Sequence, residues 1–164
     1  MNDQLEAFRQ GDVRGTYPEE INEQFVVDFA HAFVGHFGLN GKIATGRDMR
    51  NSSELLQNAL NETLASIGIE VVNIGLCPTE LGYFASGMPE INAAIVVTAS
   101  HNPANYNGLK NRLSGISHRT VWKSPQLEKL TSFALLIALP KITPAFSSPP
   151  SKGISLHRCM PPPN

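Results

Sequence analysis

Residues 98–110 read Thr-Ala-Ser-His-Asn-Pro-Ala-Asn-Tyr-Asn-Gly-Leu-Lys. A hydroxyl (Ser100), an imidazole (His101), amides (Asn102, Asn107) and an ammonium (Lys110) therefore fall within eleven positions. The Ser100 hydroxyl can carry a phosphoryl group, which holds about −1.5 to −2 charge at neutral pH. A group of that charge needs N–H donors and cations around it, and His101, Asn102, the local backbone amides and Lys110 are candidates. Pro103, Asn105, Asn107 and Gly108 are turn formers, so the whole stretch is expected to be a loop. On composition alone a plainer reading stands beside this one: a polar surface loop whose Ser and Asn only satisfy turn backbone. Serine followed directly by histidine does not indicate a hydrolase triad, whose members meet in space and not by adjacency.

The elements that must hold this stretch are legible from periodicity. Ile21, Phe25, Phe29, Ala30, Phe33, Val34 and Phe37 recur at steps of three and four, one apolar stripe of a helix. Pro18, Glu19 and Glu20 precede it and Gly38 follows it, residues suited to a helix start and a left-handed stop. Lys42–Thr45 is a short strand candidate. Asn51 or Ser52 is placed to cap a second helix, with Glu54 completing a capping box. Leu55, Leu56, Ala59, Leu60, Leu64 and Ile67 give that helix its apolar face, and Gly68 closes it. Ile69–Ile74 reads as a buried strand, Glu80–Ser86 as a short helix, and Ala93–Thr98 as a strand covered on both faces. The pattern predicts an α/β fold, layered helices around a mixed, mostly parallel sheet. In such sheets ligands sit beyond the carboxyl ends of the strands, which is where Ser100 follows Ala93–Thr98.

With 164 residues the chain suits one domain and is short for two. A net charge of −1 gives no field for nucleic acid. There is no apolar run of the ~18 residues a membrane span needs, so no membrane partner is expected. The polar start, MNDQLEAFRQ, is unlike a secretory signal, and Cys77 and Cys159 lack metal-site spacing. A reducing, cytoplasmic setting is the expectation. Cys77 reads as a small buried hydrophobe, and His31 and His36 as helix residues remote from the polar loop.

Charge divides the chain near residue 110. Residues 1–110 carry 13 Asp+Glu against 6 Lys+Arg, whereas residues 111–164 carry 1 against 7. Seven of the 12 prolines lie at or after Pro140. The expected organisation is thus an α/β domain over 1–110 and an atypical basic, Pro/Ser-rich tail over 111–164, a tether or the product of a shifted reading frame or truncation.

The run from Thr98 to Pro103, followed by Asn107-Gly108-Leu109-Lys110, resembles the phosphoserine loop of the α-D-phosphohexomutases, the phosphomannomutase and phosphoglucomutase family. Three further segments resemble that family in the right order: Phe8–Gly15 (FRQGDVRG), Gly46–Ser53 (GRDMRNSS) and Gly75–Thr79 (GLCPT). The resemblance covers about residues 5–110, the first domain of a four-domain fold. It implies that a phosphorylated Ser100 exchanges its phosphoryl group with a hexose phosphate through a hexose 1,6-bisphosphate, moving phosphate between the 1 and 6 positions. It implies catalytic roles for Ser100, His101, Lys110 and Arg14, with Asn102 and Asn107 binding substrate or phosphate. It also implies Mg²⁺, held by an oxygen of the Ser100 phosphate and by three aspartates of the second domain. The sequence contains no Asp-Gly-Asp-x-Asp-Arg run to supply those aspartates, and Gly11 stands where many members have an aromatic residue. Arg47, Asp48 and Arg50 read as residues that hold the loop and a helix start, and Ser52 and Ser53 as caps. Two functions fit at this point. One is a phosphohexomutase present as an N-terminal piece that is inactive alone. The other is a non-enzymatic truncated domain that binds phosphate or a partner. In both, an apolar face meant for the missing domains would lie open to association.

Overall fold

The computed structural model describes residues 8–9 and 12–115. The basic, proline-rich stretch lies outside the described residues from 116 onward, as does any reading-frame break placed there. Within them the chain runs β1 (Phe8–Arg9), β2 (Asp12–Thr16), α1 (Glu23–Phe37), β3 (Lys42–Arg47), α2 (Ser53–Ser66), β4 (Glu70–Leu76), α3 (Thr79–Ala85), β5 (Ile91–Val97) and β6 (Tyr106–Leu113).

The six strands form one sheet in the order β1-β2-β6-β5-β3-β4. The predicted α/β layering is present. β3 pairs in parallel with both β4 and β5, joined by the helical crossovers expected of parallel neighbours. The other half is antiparallel: β6 lies between β5 and β2, and β1 extends the edge. None of the three antiparallel strands that complete this half was read from periodicity. Tyr106–Leu113 continues as strand where turn residues suggested loop, because its first half pairs with β2 and its second half with β5. The strand also crosses the charge divide at residue 110 and continues to Leu113 opposite Ala93, so that divide is not a structural boundary.

α1 starts where Asn22, in extended backbone, accepts the Phe25 N–H on its side-chain oxygen at 2.9 Å. Glu20 does not enter the helix; its carboxylate turns back to the Thr16 N–H at 2.6 Å. The helix stops as read, at Gly38 with φ 61°, whose N–H returns to the Val34 carbonyl. Phe25, Phe29 and Phe33 of α1 join Leu56, Leu60 and Leu64 of α2 against Val13, Ile43, Ile95, Val97 and Leu109 of the sheet. Fully burying side chains of this kind stabilises by about 1.5–3 kcal/mol each. Leu55, placed on the apolar face by sequence, points to solvent. β4 is not the buried strand expected; at the sheet edge all its residues are exposed or half-buried.

The opposite sheet face carries small residues, Ala44 and Ala94, covered by Ala85 of α3. α3 lies close to the sheet because Gly82 has no side chain: a Cβ there would stand 2.4 Å from Val96 Cγ2. Leu76 at the end of β4, Leu81 and Phe84 of α3 and Met88 after it are exposed. Among the described residues no helix is long and apolar enough to cross a membrane.

Candidate functional site

Parallel β3, β4 and β5 point their carboxyl ends to one side, and the chain leaving each end contributes to a single cleft of about 760 Å³. Asp48, Met49, Arg50 and Asn51 come from the exit of β3, Cys77, Pro78 and Thr79 from the exit of β4, and Thr98, Ser100, His101 and Asn102 from the exit of β5. Glu80 and Tyr83 of α3, Ala104 of the loop and Lys110 of β6 complete the lining.

Ser100 is the sole non-glycine residue with positive φ among the described residues, at 57°. The left-handed region is costly for a residue with a Cβ, so this conformation persists only where surroundings impose it. Its N–H donates to Thr98 Oγ1 at 2.9 Å, and its Oγ lies 3.1 Å from His101 Nδ1. The loop is tied from below by Arg50, whose Nη1 donates to the carbonyls of Pro103 (2.6 Å) and Tyr106 (3.1 Å). Arg50 Nη2 donates to those of Ser100 (3.1 Å) and Asn102 (2.7 Å). The reading of Arg50 and Asp48 as loop-holding residues thus acquires specific partners. Asp48 accepts from Arg50 Nε and backbone N–H and from the Ser53 hydroxyl at 2.6 Å.

Of the residues predicted for the site, Ser100, His101, Asn102 and Lys110 line the cleft together. Lys110 Nζ stands 3.9 Å from Asp12 Oδ2. Asn107 does not reach the cleft. It is fully buried, its Nδ2 donates to the hydroxyls of Ser52 (2.7 Å) and Ser53 (3.0 Å), and its Oδ1 accepts the Gly108 N–H. Side chains alternate along a strand, so Asn107 and Lys110, three apart on β6, must face opposite sides of the sheet. Asn107 thus bonds the start of α2 and lies outside the lining of the cleft. The capping assignment for Ser52 and Ser53 changes with it: Ser52 occupies the N-cap position without a side-chain cap bond, and Glu54 pairs with Arg47 at 3.3 Å. Arg14 is not part of the cleft lining; its guanidinium is held by Asp12, two residues earlier on the same strand β2, at 2.5 Å.

Sequence reasoning did not single out Tyr83, whose ring lies 5.2 Å from the Arg112 guanidinium carbon. Burial pushes its phenol above the ordinary range, the Asp12 carboxylate adds to this, and Arg112 opposes it. Short helices give little periodic signal, so nothing in the sequence placed this ring at the cleft. Cys77, read as a small buried hydrophobe, is buried, and it also lines the cleft. Burial raises its thiol above the usual value, opposed in part by a backbone hydrogen bond with Arg47. Less thiolate is present at neutral pH, and thiolate is the nucleophile. Alkylation of Cys77, followed by peptide mass mapping, is expected to be slower at pH 7.5 than for a free cysteine and to accelerate only at a pH above that at which a free cysteine does; rapid labelling at pH 7.5 contradicts this.

The described residues do not make a metal centre: no three of their His, Cys, Asp or Glu side chains are grouped to hold an ion. Asp48, the carboxylate nearest in sequence to the loop's anchor, is already bonded to Arg50 and Ser53. The Mg²⁺ implied by resemblance therefore has no carboxylate set here, and no step below is routed through it.

Residues 5–119 match the family profile described as phosphoglucomutase/phosphomannomutase, alpha/beta/alpha domain I. The chain belongs to this family. The matched span includes the whole described sheet, β6 and its end among it. A phosphomannomutase of Klebsiella pneumoniae is 45% identical over 107 residues, 65% of this chain and 68% of that protein. A phosphomannomutase of Escherichia coli shows the same 45% over 107 residues, but the match spans only 23% of its length. A probable phosphoglucosamine mutase of Methanosphaera stadtmanae is 38% identical over 104 residues, again 23% of that protein. The chain thus spans about a quarter of the length of most of these mutases. Among solved structures, a phosphoglucomutase/phosphomannomutase family protein from Burkholderia thailandensis superposes with a TM-score of 0.67 at 30% identity. That superposition covers 84% of this chain and 31% of the other.

Proposed function

We propose that this chain supplies the phosphoryl-accepting serine of a phosphohexomutase, an isomerase that moves phosphate between positions 1 and 6 of a hexose. The observation that carries the proposal is Ser100 itself: a left-handed serine at the exit of the central strand, its hydroxyl in a cleft shared with Lys110. In the charging step a bond forms between Ser100 Oγ and phosphorus as the phosphorus–oxygen bond to the sugar breaks. The serine hydroxyl gives up its proton, and the sugar oxygen gains one. His101 Nδ1, 3.1 Å from Oγ, is in reach to take the serine proton. Lys110 brings positive charge to the cleft where the transferring group gathers negative charge. The phosphoserine then gives its phosphoryl group to the free hydroxyl of an incoming hexose monophosphate, forming the 1,6-bisphosphate. Ser100 takes back the phosphoryl group from the bisphosphate's other position, which releases the isomer and restores the phosphoserine. In-line placement and charge neutralisation account for most of such catalysis, which is why a rigid loop matters more here than a strong nucleophile.

The test is to incubate the protein with glucose 1,6-bisphosphate in Mg²⁺ buffer and locate phosphate by peptide mass spectrometry. One phosphate on the peptide containing Ser100 is expected. Its absence, or its appearance on another residue, sinks the proposal.

A further inference from the structure

We infer that Arg50 is a positioning residue for transfer at Ser100, fixing the loop so that its carbonyls are turned away from the reacting anion; this rests on the function proposed above. A guanidinium has five N–H donors in a planar fork. Every one of them has an acceptor: the carbonyls of Ser100, Asn102, Pro103 and Tyr106, and the Asp48 carboxylate at 3.1 Å. None remains for a substrate phosphate, although Arg50 lines the cleft. Its contribution is therefore made through Ser100. Four carbonyl oxygens, each a partial negative charge, are drawn onto one cation instead of being left to turn toward an incoming phosphoryl group.

The fork is itself held. Asp48 accepts from Arg50 Nε, from the Arg50 backbone N–H at 3.0 Å and from Ser53 Oγ. Ser53 and Ser52 are in turn bonded by buried Asn107 at the start of β6. The hydrogen bonds thus form a continuous path from β6, through the start of α2 and the exit of β3, to the underside of the Ser100 loop. A lysine cannot replace the fork, because its ammonium has three donors around one point and cannot meet four carbonyls in a plane.

Two measurements test this. The first requires no turnover: in 15N-labelled protein the four Nη protons of Arg50 are expected to give separate signals, since each nitrogen is anchored and rotation is blocked. A single averaged signal overturns the inference. The second compares R50K with the parent protein in phosphate uptake from glucose 1,6-bisphosphate. The maximal rate is expected to fall about 100-fold, the scale of an ångström-level misplacement, with the half-saturating bisphosphate concentration unchanged. Amide exchange at Asn102 and Tyr106 is expected to accelerate in parallel while β3 amides keep their protection. A raised half-saturating concentration with an unchanged maximal rate would make Arg50 a binding residue and overturn the inference. If the parent protein takes up no phosphate, the proposed function fails, and the side-chain signals still decide whether Arg50 clamps the loop. If R50K does not fold, those signals from the parent protein decide alone.

Discussion

Gly108→Ala is expected to destabilise the fold markedly. On β6, directly opposite Arg14 of β2, a Cβ at Gly108 would lie 1.9 Å from the Val13 carbonyl oxygen and 3.0 Å from Arg14 Cα. Both obstacles are main chain, so no side-chain rotation relieves the overlap. β2 and β6 would have to separate, breaking the ladder that joins β1 and β2 to the rest of the sheet. Overpacking a tight interior costs about 1–3 kcal/mol and occasionally more; backbone overlap belongs at the top of that range. Total stability of a domain is about 5–15 kcal/mol, so the loss is a large share of it. Thermal unfolding followed by circular dichroism should show a midpoint lower by about 10 °C or more. Gly35→Ala is the control: nothing lies within 4 Å of a Cβ at this exposed position in α1, and helix propensity predicts a gain of about 0.5–1 kcal/mol. Equal melting of the two variants would contradict the close approach of β2 and β6.

Ser100→Ala is expected to abolish phosphate uptake while leaving the fold intact. The hydroxyl that the proposal phosphorylates is removed, and no other residue of the cleft is placed as it is, at the exit of β5 with its backbone turned to φ 57°. The stability change should be small, because the contact Oγ makes is with exposed His101 at 3.1 Å. The backbone anchors of the loop, Thr98 Oγ1 and Arg50, bind main-chain atoms of residue 100 and survive the substitution. Melting should remain within about 1 kcal/mol of the parent protein, the range of most substitutions that disturb no buried group. Phosphate appearing on the variant would move the acceptor elsewhere and end the assignment. A variant that melts far below the parent would instead show the hydroxyl to be part of the scaffold.

Periodicity sufficed for α1, α2 and β5, because burial of one face imposes a spacing that any reader of the chain can recover. Phe25, Phe29 and Phe33 had nowhere to go but one side of a helix, and Ile91–Val97 is nearly apolar throughout. β6 had no such signature. Its alternation mixes Asn107, Gly108, Lys110 and Arg112, and turn propensity argued for loop; pairing with β2 and β5 overrode that propensity. The same blindness to pairing put β4 in the interior.

The order of residues along the chain, taken alone, was enough to place a hydroxyl after a buried strand with histidine and lysine close by, since that juxtaposition is a matter of spacing. The direction of each side chain was set by strand pairing and packing, which are relations between distant segments. Only the folded sheet turned Lys110 toward Ser100's cleft and Asn107 away from it. Likewise, one arginine fifty positions upstream could meet four carbonyls of the loop only after β3 and β5 had come to lie side by side.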